Sequence, residues 1–336
     1  MEQQLAKRTI IIRIVMFMIC VLLIITASTM ILKPKRMEIP YDNTRKERGF
    51  YAEPQNSLDL VFVGSSQLFS TINPTVLWQE QGITSYVLGG NEQPFSISYY
   101  YIMEALKYQK PKAIVLEVTF CNWGEMPREG VVRINFDDLR WGKAKIQGIM
   151  NNVAPKDWEY YFFELSKYHS RWDQLTAEDF MLKTVYCKQN PDKGWSPYEK
   201  SNDPAKTYGE HIPPAILDCR DTTALNEEAL TWLAKMIELC EKENVRLILL
   251  KTPNNGKIIQ PVPAGEAEQA FEYIDGMAYY NALVEYAAQA GIEFLNMNLV
   301  MPGTNHNDVE NAAKATSYFG EWIQGIIEIE DKRAGQ

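Results

Sequence analysis

The sequence has few of the residues that mark metal-binding or nucleic-acid-binding proteins. It contains five cysteines and three histidines, and no two cysteines are spaced as C-x-x-C, which argues against a zinc site. Acidic residues outnumber basic ones by 43 to 34, and we find no basic stripe, which argues against nucleic-acid binding. The scarcity of histidine also restricts the chemistry, because a histidine base must be His169, His211 or His306.

One long apolar run lies near the N-terminus. Residues 1–8 are polar, and Ile14–Leu32 carries no charge. At 1.5 Å per residue this stretch would be roughly 28 Å long, close to the thickness of the hydrocarbon core of a bilayer. A cleaved signal peptide has a shorter apolar region. We therefore predict an uncleaved transmembrane signal anchor over residues 9–32, although basic residues on both sides leave its orientation open.

A parallel α/β sheet is predicted beyond the anchor. Residues 33–56 contain several prolines and many charges without apolar periodicity, and they predict a stalk. From residue 57, apolar strand-like runs alternate with amphipathic helices, the pattern of a doubly wound sheet. The predicted strands are Leu58–Val63, Ile83–Leu88, Lys112–Val118, Val245–Lys251 and Gly291–Asn296. The predicted helices are Phe95–Tyr108, Glu227–Glu243, Ala267–Ala290 with an interruption near Gly276, and a last helix capped by Asn307.

Residues 121–225 break this alternation and predict a long, helical, aromatic-rich insertion beside the pocket. Its aromatic side chains either form the core of the insertion or line a site for an acyl chain or a sugar ring. His169 and His211 fall within it, and we expect both to be structural.

A candidate nucleophile follows the first predicted strand. Leu58–Val63 ends in Gly64, Ser65 and Ser66, and ligands of open α/β sheets bind beyond the carboxyl ends of the strands. Ser66 would need a base to accept its proton, and His306, just before the last helix, can lie at the same edge. The alternative is that the two serines only cap the following helix or turn.

Several segments resemble the membrane-anchored SGNH/GDSL hydrolases, in particular the DltD and AlgJ/AlgX group, over residues 57–125 and 226–327 and the anchor. They are Val63–Ser66 with Ile72–Pro74, Leu88–Pro94, Tyr99–Lys107, Pro111–Glu117 and Lys251–Pro253. The resemblance implies a flavodoxin-like, three-layer SGNH-hydrolase domain over 57–327, a tail over 328–336 and a cytoplasmic tail over 1–8. It also implies a single-pass protein of the cell membrane, with its main domain outside the cytoplasm.

The resemblance assigns Ser66 as nucleophile and His306 as base, with the Ser66 N–H as one oxyanion donor. Asn122 lies slightly beyond the position of the family's third-block asparagine. The second block supplies another backbone donor and substrate contacts from Gly89, Gly90 and Gln93. This chemistry requires no metal and no cofactor.

One departure from the family pattern concerns the catalytic acid. The family has Asp two or three residues before the histidine, where this chain has Thr304 and Gly303. Asp308 could substitute for it, but an aspartate in a first helical turn is also favourable structurally. The site would then be a Ser66–His306 dyad, would recruit a carboxylate from elsewhere, or would be inactive.

We therefore expect a serine esterase or O-acyltransferase that acts on acyl esters of a cell-surface polysaccharide or related polymer. The alternative is a catalytically degenerate binding or scaffold partner of a membrane-bound O-acyltransferase. A thiol enzyme that uses Cys121 is a weaker third alternative, because no histidine lies near it in the sequence.

Overall fold

The structure, a computed structural model, describes residues 2–33, 43–180, 190–196, 222, 224–253, 267–301 and 308–335. The chain divides into two compact units. In described residues, one unit consists of 2–33 and 154–180, and the other of the remaining segments.

The larger unit contains a five-stranded, fully parallel sheet. Its strands lie in the order β2-β1-β3-β4-β5, the order of flavodoxin-like doubly wound sheets. The predicted α/β class with a parallel sheet is confirmed. The strands are β1 (Leu60–Val63), β2 (Ser85–Val87), β3 (Ala113–Glu117), β4 (Arg246–Lys251) and β5 (Phe294–Asn296).

The helices connect the strands and flank the sheet. In chain order they are α1 (Glu2–Leu32), α2 (Asn43–Phe50), α3 (Ser66–Thr71), α4 (Pro74–Gln81), α5 (Phe95–Tyr108), α6 (Glu129–Phe136), α7 (Lys143–Asn152), α8 (Trp158–Phe162), α9 (Leu165–Tyr168), α10 (Glu227–Lys242), α11 (Ala267–Ala290) and α12 (Val309–Gln324).

Local sequence explains where several of these helices begin and end. The Asn73 side chain accepts a hydrogen bond from the Thr75 N–H, and Pro74 occupies the first turn of α4, where its missing N–H costs nothing. Gly82 ends α4 in the left-handed conformation, with φ of 68°, which favours glycine. The side chain of Asn226 caps α10 by accepting from two backbone N–H groups.

The sheet is buried on both faces. Leu60 and Phe62 point to one face, where they pack in a core with Phe319 of α12 and with residues of α3 and α4. Successive strand residues alternate between faces, so Val61 and Val63 point to the other face. Helix α5 contacts β1 there, α10 contacts β4, and the two helices pack against each other. Two buried faces explain why β1 is a continuous apolar run and why β3 and β4 are apolar apart from their terminal residues.

The predicted stalk over 33–56 is wrong for its second half. Residues 43–50 form helix α2, and Lys46–Phe50 are buried in the larger unit. Two of the buried charges have polar partners: the Glu47 carboxyl lies 2.5 Å from the Tyr101 hydroxyl, and Arg48 pairs with Asp138 at 2.8 Å. Burial raises the pKa of Glu47 well above its ordinary value, against the lowering effect of the Tyr101 hydrogen bond. The described part of this unit therefore begins at residue 43 rather than at 57.

Three smaller expectations are also corrected. Helix α11 runs through Gly276 without the predicted interruption. The N-cap of α12 is Asp308 rather than Asn307. Residues 328–335, predicted as a tail, pack against the larger unit: the Lys332 ammonium lies 2.9 Å from the Asp59 carboxylate, and Arg333 donates to the carbonyl of Gln79.

The smaller unit combines α1 with part of the predicted insertion. Helix α1 contains a stretch, Lys7–Leu32, that is long and apolar enough to cross a membrane. The hydroxyls of Thr26 and Thr29 donate to carbonyls four residues earlier, so these polar groups are satisfied within the helix. Short helices between residues 155 and 180 pack against α1. The described part of the insertion is helical, and it is divided between the two units at residue 154.

The core contact between Phe62 and Phe319 gives a direct test of the packing. Their ring centroids are 5.2 Å apart and both side chains are fully buried. We expect Phe319→Ala to lower the free energy of unfolding by about 3–5 kcal/mol, because it leaves a cavity between α12 and the sheet. Urea unfolding of the full chain in detergent micelles measures this. Val309→Ala, at an exposed position of the same helix, should change it by less than about 0.5 kcal/mol, and equal losses for the two variants would contradict the packing.

Candidate functional site

Ser66 lies at the carboxyl edge of the sheet. Strand β1 ends at Val63, and Ser66 is the first residue of α3 and is half-buried. The side chain of Ser65, not that of Ser66, caps the helix by accepting from the Gln67 N–H at 3.3 Å. The capping alternative is therefore confirmed for Ser65, while the hydroxyl of Ser66 is not the cap.

The position of Ser66 coincides with the point where the strand order reverses. Strand β1 pairs with β2 on one side and with β3 on the other, so the connections that leave β1 and β3 diverge. Such switch points form the ligand crevices of doubly wound sheets. Ser66 follows β1, and Thr119 closely follows β3.

Glu117, on the neighbouring strand β3, holds the serine loop (Gly64–Ser66) in place. It is the last residue of β3 and is only 2% exposed. Its carboxylate accepts hydrogen bonds from the Ser65 hydroxyl at 2.8 Å and from the Thr119 N–H at 2.9 Å. Gly64 permits this close approach, because a Cβ at that position would lie 2.5 Å from the Glu117 Cβ.

Lys251 completes the buried network. It ends β4, and its side chain is fully buried. Its ammonium donates to the Gln67 amide oxygen at 2.9 Å and to the Thr119 hydroxyl at 3.0 Å, and it lies 4.0 Å from Glu117. Burial lowers the pKa of Lys251 to about 8, against the raising effects of Glu117 and Cys121. The ends of β1, β3 and β4 are thus joined through polar side chains.

The second loop of the predicted site contacts the serine loop. The Gly90 N–H donates to the Gly64 carbonyl at 3.0 Å, and a Cβ on Gly89 would lie 2.8 Å from the same oxygen. The N–H of Gly90 is therefore engaged within the protein, which argues against it as an oxyanion donor, and its contact with substrate stays a prediction. The oxyanion role of Gly89 stays a prediction. Gln93 is buried and donates to the Ser98 hydroxyl at 3.0 Å, so its amide nitrogen helps to hold this loop.

The contact that Asn122 makes is structural and does not involve the serine loop. Its side-chain oxygen accepts from the backbone N–H of Asn226 at 2.9 Å. Asn226 is the N-cap of α10, so Asn122 connects the loop after β3 to the start of that helix. Nothing in this contact supports a role as an oxyanion donor.

His306, Gly303 and Thr304 lie outside the described residues, so the pairing of Ser66 with His306 stays a prediction. Asp308 begins the next described segment and is buried. Its carboxylate accepts from the Asn311 N–H at 3.0 Å as the N-cap of α12. This geometry agrees with the structural alternative for Asp308, and its catalytic role stays a prediction.

Helix α12 connects this region to the serine helix. Its Thr316 hydroxyl accepts from the Asn73 N–H at 2.9 Å and donates at the end of α3 to the Thr71 carbonyl at 3.1 Å. The helix that begins three residues after His306 therefore packs against the helix that Ser66 begins.

The other candidate residues are accounted for differently. His169 is exposed, and its ring Nδ1 lies 2.7 Å from the Ser166 carbonyl, in agreement with the structural expectation; His211 lies outside the described residues. Cys121 is buried, and burial raises the pKa of its thiol to about 12. A reactive thiolate needs a lowered pKa, so the site does not favour the thiol alternative.

Two further observations bear on the choice of site. Over the described residues, no cluster of three or more His, Cys, Asp or Glu side chains is placed to hold a metal ion. A large surface depression lies at the opposite, amino edge of the sheet, where Lys112 and Arg246 line it. We take the carboxyl edge as the candidate site because Ser66 and the buried polar network lie there.

Comparison with models of known protein families and with curated proteins finds no match for this chain.

Glu117 and Lys251 were not predicted as site residues. Both appear in segments that carry the family resemblance, but neither was assigned a role. The available signal was a charged residue at the last position of an otherwise apolar strand, in Leu116-Glu117 and Leu250-Lys251. A charge at the end of a buried strand indicates a buried partner, because an unpaired buried charge is very costly.

The lowered pKa of Lys251 makes stability depend on pH. The pKa of lysine is about 8 in the folded protein against an ordinary value of 10.5. Below about pH 8, Lys251 is protonated in both the folded and the unfolded state, and the folded state carries the full cost of burying the charged ammonium. Between the two pKa values the unfolded chain binds more protons than the folded protein, so the free energy of unfolding rises with pH. Relative to Lys251→Met, we expect the wild-type free energy of unfolding to rise by about 2 kcal/mol from about pH 8 to about pH 10.

Urea unfolding at a series of pH values measures this difference. Lys235→Met, at an exposed position on α10, is the matched control. Wild-type and Lys251→Met curves that stay parallel over the range would show that the Lys251 ammonium is solvated in the folded protein.

Proposed function

We propose that the chain is a membrane-anchored serine esterase or O-acyltransferase of the SGNH type, with Ser66 as its nucleophile. The observation that carries the proposal is the placement of Ser66 at the switch point of the sheet, on a loop fixed by the buried Glu117–Lys251 network. The strand order agrees with the flavodoxin-like fold expected for such hydrolases. The motif resemblance supplies the reaction class.

The first half of the reaction transfers an acyl group to the enzyme. The Ser66 oxygen attacks an ester carbonyl while His306 takes the hydroxyl proton. The carbonyl oxygen becomes negatively charged, and backbone N–H groups of Ser66 and Gly89 would stabilise it by roughly 3 kcal/mol each. The C–O bond to the leaving alcohol then breaks as His306 returns the proton to that oxygen, and an acyl-Ser66 ester remains.

The second half regenerates the serine. A water molecule or a hydroxyl of a glycan attacks the acyl-Ser66 carbonyl, and His306 accepts the proton of the attacking group. The bond to the Ser66 oxygen breaks, and His306 protonates it. With water the products are a free acid and the enzyme; with a glycan hydroxyl the product is a new ester. None of these steps calls for a metal or an organic cofactor.

The proposed membrane anchor and the resemblance to SGNH hydrolases together point to where the protein acts and to the class of its substrate. Residues 9–32 would anchor the protein in the cell membrane, with residues 1–8 in the cytoplasm and the main domain outside it. The substrate would be an acylated cell-surface polysaccharide or a related polymer. A membrane-bound O-acyltransferase is the proposed protein partner.

Covalent labelling tests whether Ser66 is activated. The full chain in detergent micelles should react with a fluorophosphonate probe and turn over p-nitrophenyl acetate. Ser66→Ala should abolish labelling and lower turnover by at least about 10³-fold, because the attacking oxygen is lost. Ser317→Ala, at another half-buried serine, is the matched control and should leave both unchanged. Equal turnover by wild type and Ser66→Ala would remove Ser66 from the mechanism.

Asp308→Asn tests whether Asp308 serves the histidine or only the helix. Asparagine is as good an N-cap as aspartate, so this substitution keeps the cap and removes the charge. Because the carboxylate of Asp308 accepts from Asn311, we expect turnover and stability close to wild type. In serine proteases, loss of the orienting carboxylate costs about 10⁴ in rate, and a fall of that size would assign that role to Asp308.

A scaffold function is the second candidate. The observations in its favour are Thr304 and Gly303 at the expected positions of the catalytic acid and the capping role of Asp308. If wild type shows neither probe labelling nor turnover, the fold would instead serve as a binding partner for the polymer or for a membrane-bound O-acyltransferase.

A further inference from the structure

The smaller unit fixes a short helical segment beside one end of α1. Arg171 donates a hydrogen bond to the carbonyl of Leu32, the last residue of α1, and Lys33 lies 3.5 Å from Glu164. Helix α9 and the 3₁₀ helices His169–Asp173 and Ala177–Phe180 also pack against α1. Residues 155–180 therefore adjoin the carboxyl end of the stretch that is apolar enough to cross a membrane.

This segment exposes large aromatic side chains. Trp172 is 72% exposed, and the others are half-exposed or close to it: Phe180 at 58%, Tyr160 at 52% and Phe163 at 46%. Scattered exposed apolar residues are ordinary, but several aromatic rings concentrated in one short segment indicate an interaction surface. Tryptophan and tyrosine are enriched where membrane proteins meet the lipid headgroups, because their rings have an apolar body and a polar group.

The adjoining helix α1 and the charges of the segment both indicate that this surface binds lipid rather than a protein. Helix α1 carries no charge over Ile14–Leu32 and exposes most of its side chains there, Phe17 among them, as a lipid-facing helix does. Only the side chains near its carboxyl end, where the short helices pack, are half-buried. The aromatic segment is attached where that lipid-facing surface ends. The charged residues of this segment are mostly acidic, so electrostatic attraction to anionic lipid is excluded as the main source of binding. The basic residues are Lys156, Lys167 and Arg171, and the acidic residues are Asp157, Glu159, Glu164, Asp173, Glu178 and Asp179.

We propose that residues 155–180 form a collar that lies in the headgroup region of the bilayer at the carboxyl end of α1, with Trp172 inserted among the lipids. Burial of the aromatic rings would provide the binding energy, so it should change little with salt or with the content of anionic lipid. The proposal rests on the membrane anchor in the proposed function and is independent of the chemistry at Ser66.

Quenching of Trp172 fluorescence tests the collar. The full chain is reconstituted in phosphatidylcholine vesicles, with and without bromine on the lipid acyl chains, and compared with Trp172→Phe. The difference in emission isolates Trp172. We expect brominated lipid to quench this component and aqueous iodide to quench it less in vesicles than in the unfolded chain. Both effects should persist when part of the phosphatidylcholine is replaced by phosphatidylglycerol or when salt is added.

Trp141→Phe is the matched control, since Trp141 is 47% exposed and belongs to the larger unit. Its emission component should remain open to iodide in vesicles. The collar is overturned if the Trp172 component is open to iodide and unaffected by brominated lipid while the chain resists extraction by alkaline carbonate. Extraction by carbonate would overturn the anchor and the collar together. Labelling of Ser66 in the same samples reports separately on the proposed chemistry.

Discussion

The buried contact between Glu117 and the Ser65 hydroxyl, completed by Lys251, is the constraint on which the candidate site depends. Taking a carboxylate and an ammonium out of water costs several kcal/mol each, and only a full set of hydrogen bonds offsets that cost. Here Thr119 and Gln67 supply the remaining partners. Removing one member leaves another buried and unpaired, so the network holds the three strand ends as a unit. The geometry around Ser66 is therefore set by residues outside its own loop.

The sequence predicted the sheet well because the patterns that specify it are local. The strands were short, mostly apolar runs, and α5 was predicted with the bounds Phe95–Tyr108 that the structure has. Ser66 was placed correctly at the end of β1 because an apolar run stops abruptly at Gly64. The network behind it was not predicted, because Ser65 and Glu117 are 52 positions apart and Gln67 and Lys251 are 184 apart. No periodicity within one segment reports such a pairing.

Helix α2 shows that composition, like local periodicity, does not predict contacts between distant residues. A short, highly charged segment between prolines is typical of a solvated stalk, yet Glu47 and Arg48 are buried because Tyr101 and Asp138 meet them. Composition predicts the average cost of burying a segment and not the partners that offset it. The division of the 121–225 insertion between two units escaped prediction for a related reason. Aromatic content alone does not distinguish a core from an exposed surface, and several rings of residues 155–180 are exposed rather than packed in a core.

The capping role of Asp308 bears on whether His306 has a carboxylate to orient it in the proposed reaction. If its carboxylate serves α12, a Ser66–His306 dyad lacks the group that holds the histidine tautomer, and hydrolysis by water should be slow. A glycan hydroxyl also gives its proton to His306, so the weakened base slows transfer as well as hydrolysis. An acceptor held beside Ser66 offsets part of that loss, because a bound hydroxyl has a high effective concentration. Within the proposed function, the ratio of transfer to hydrolysis therefore depends on how the acceptor is held and not on the missing carboxylate.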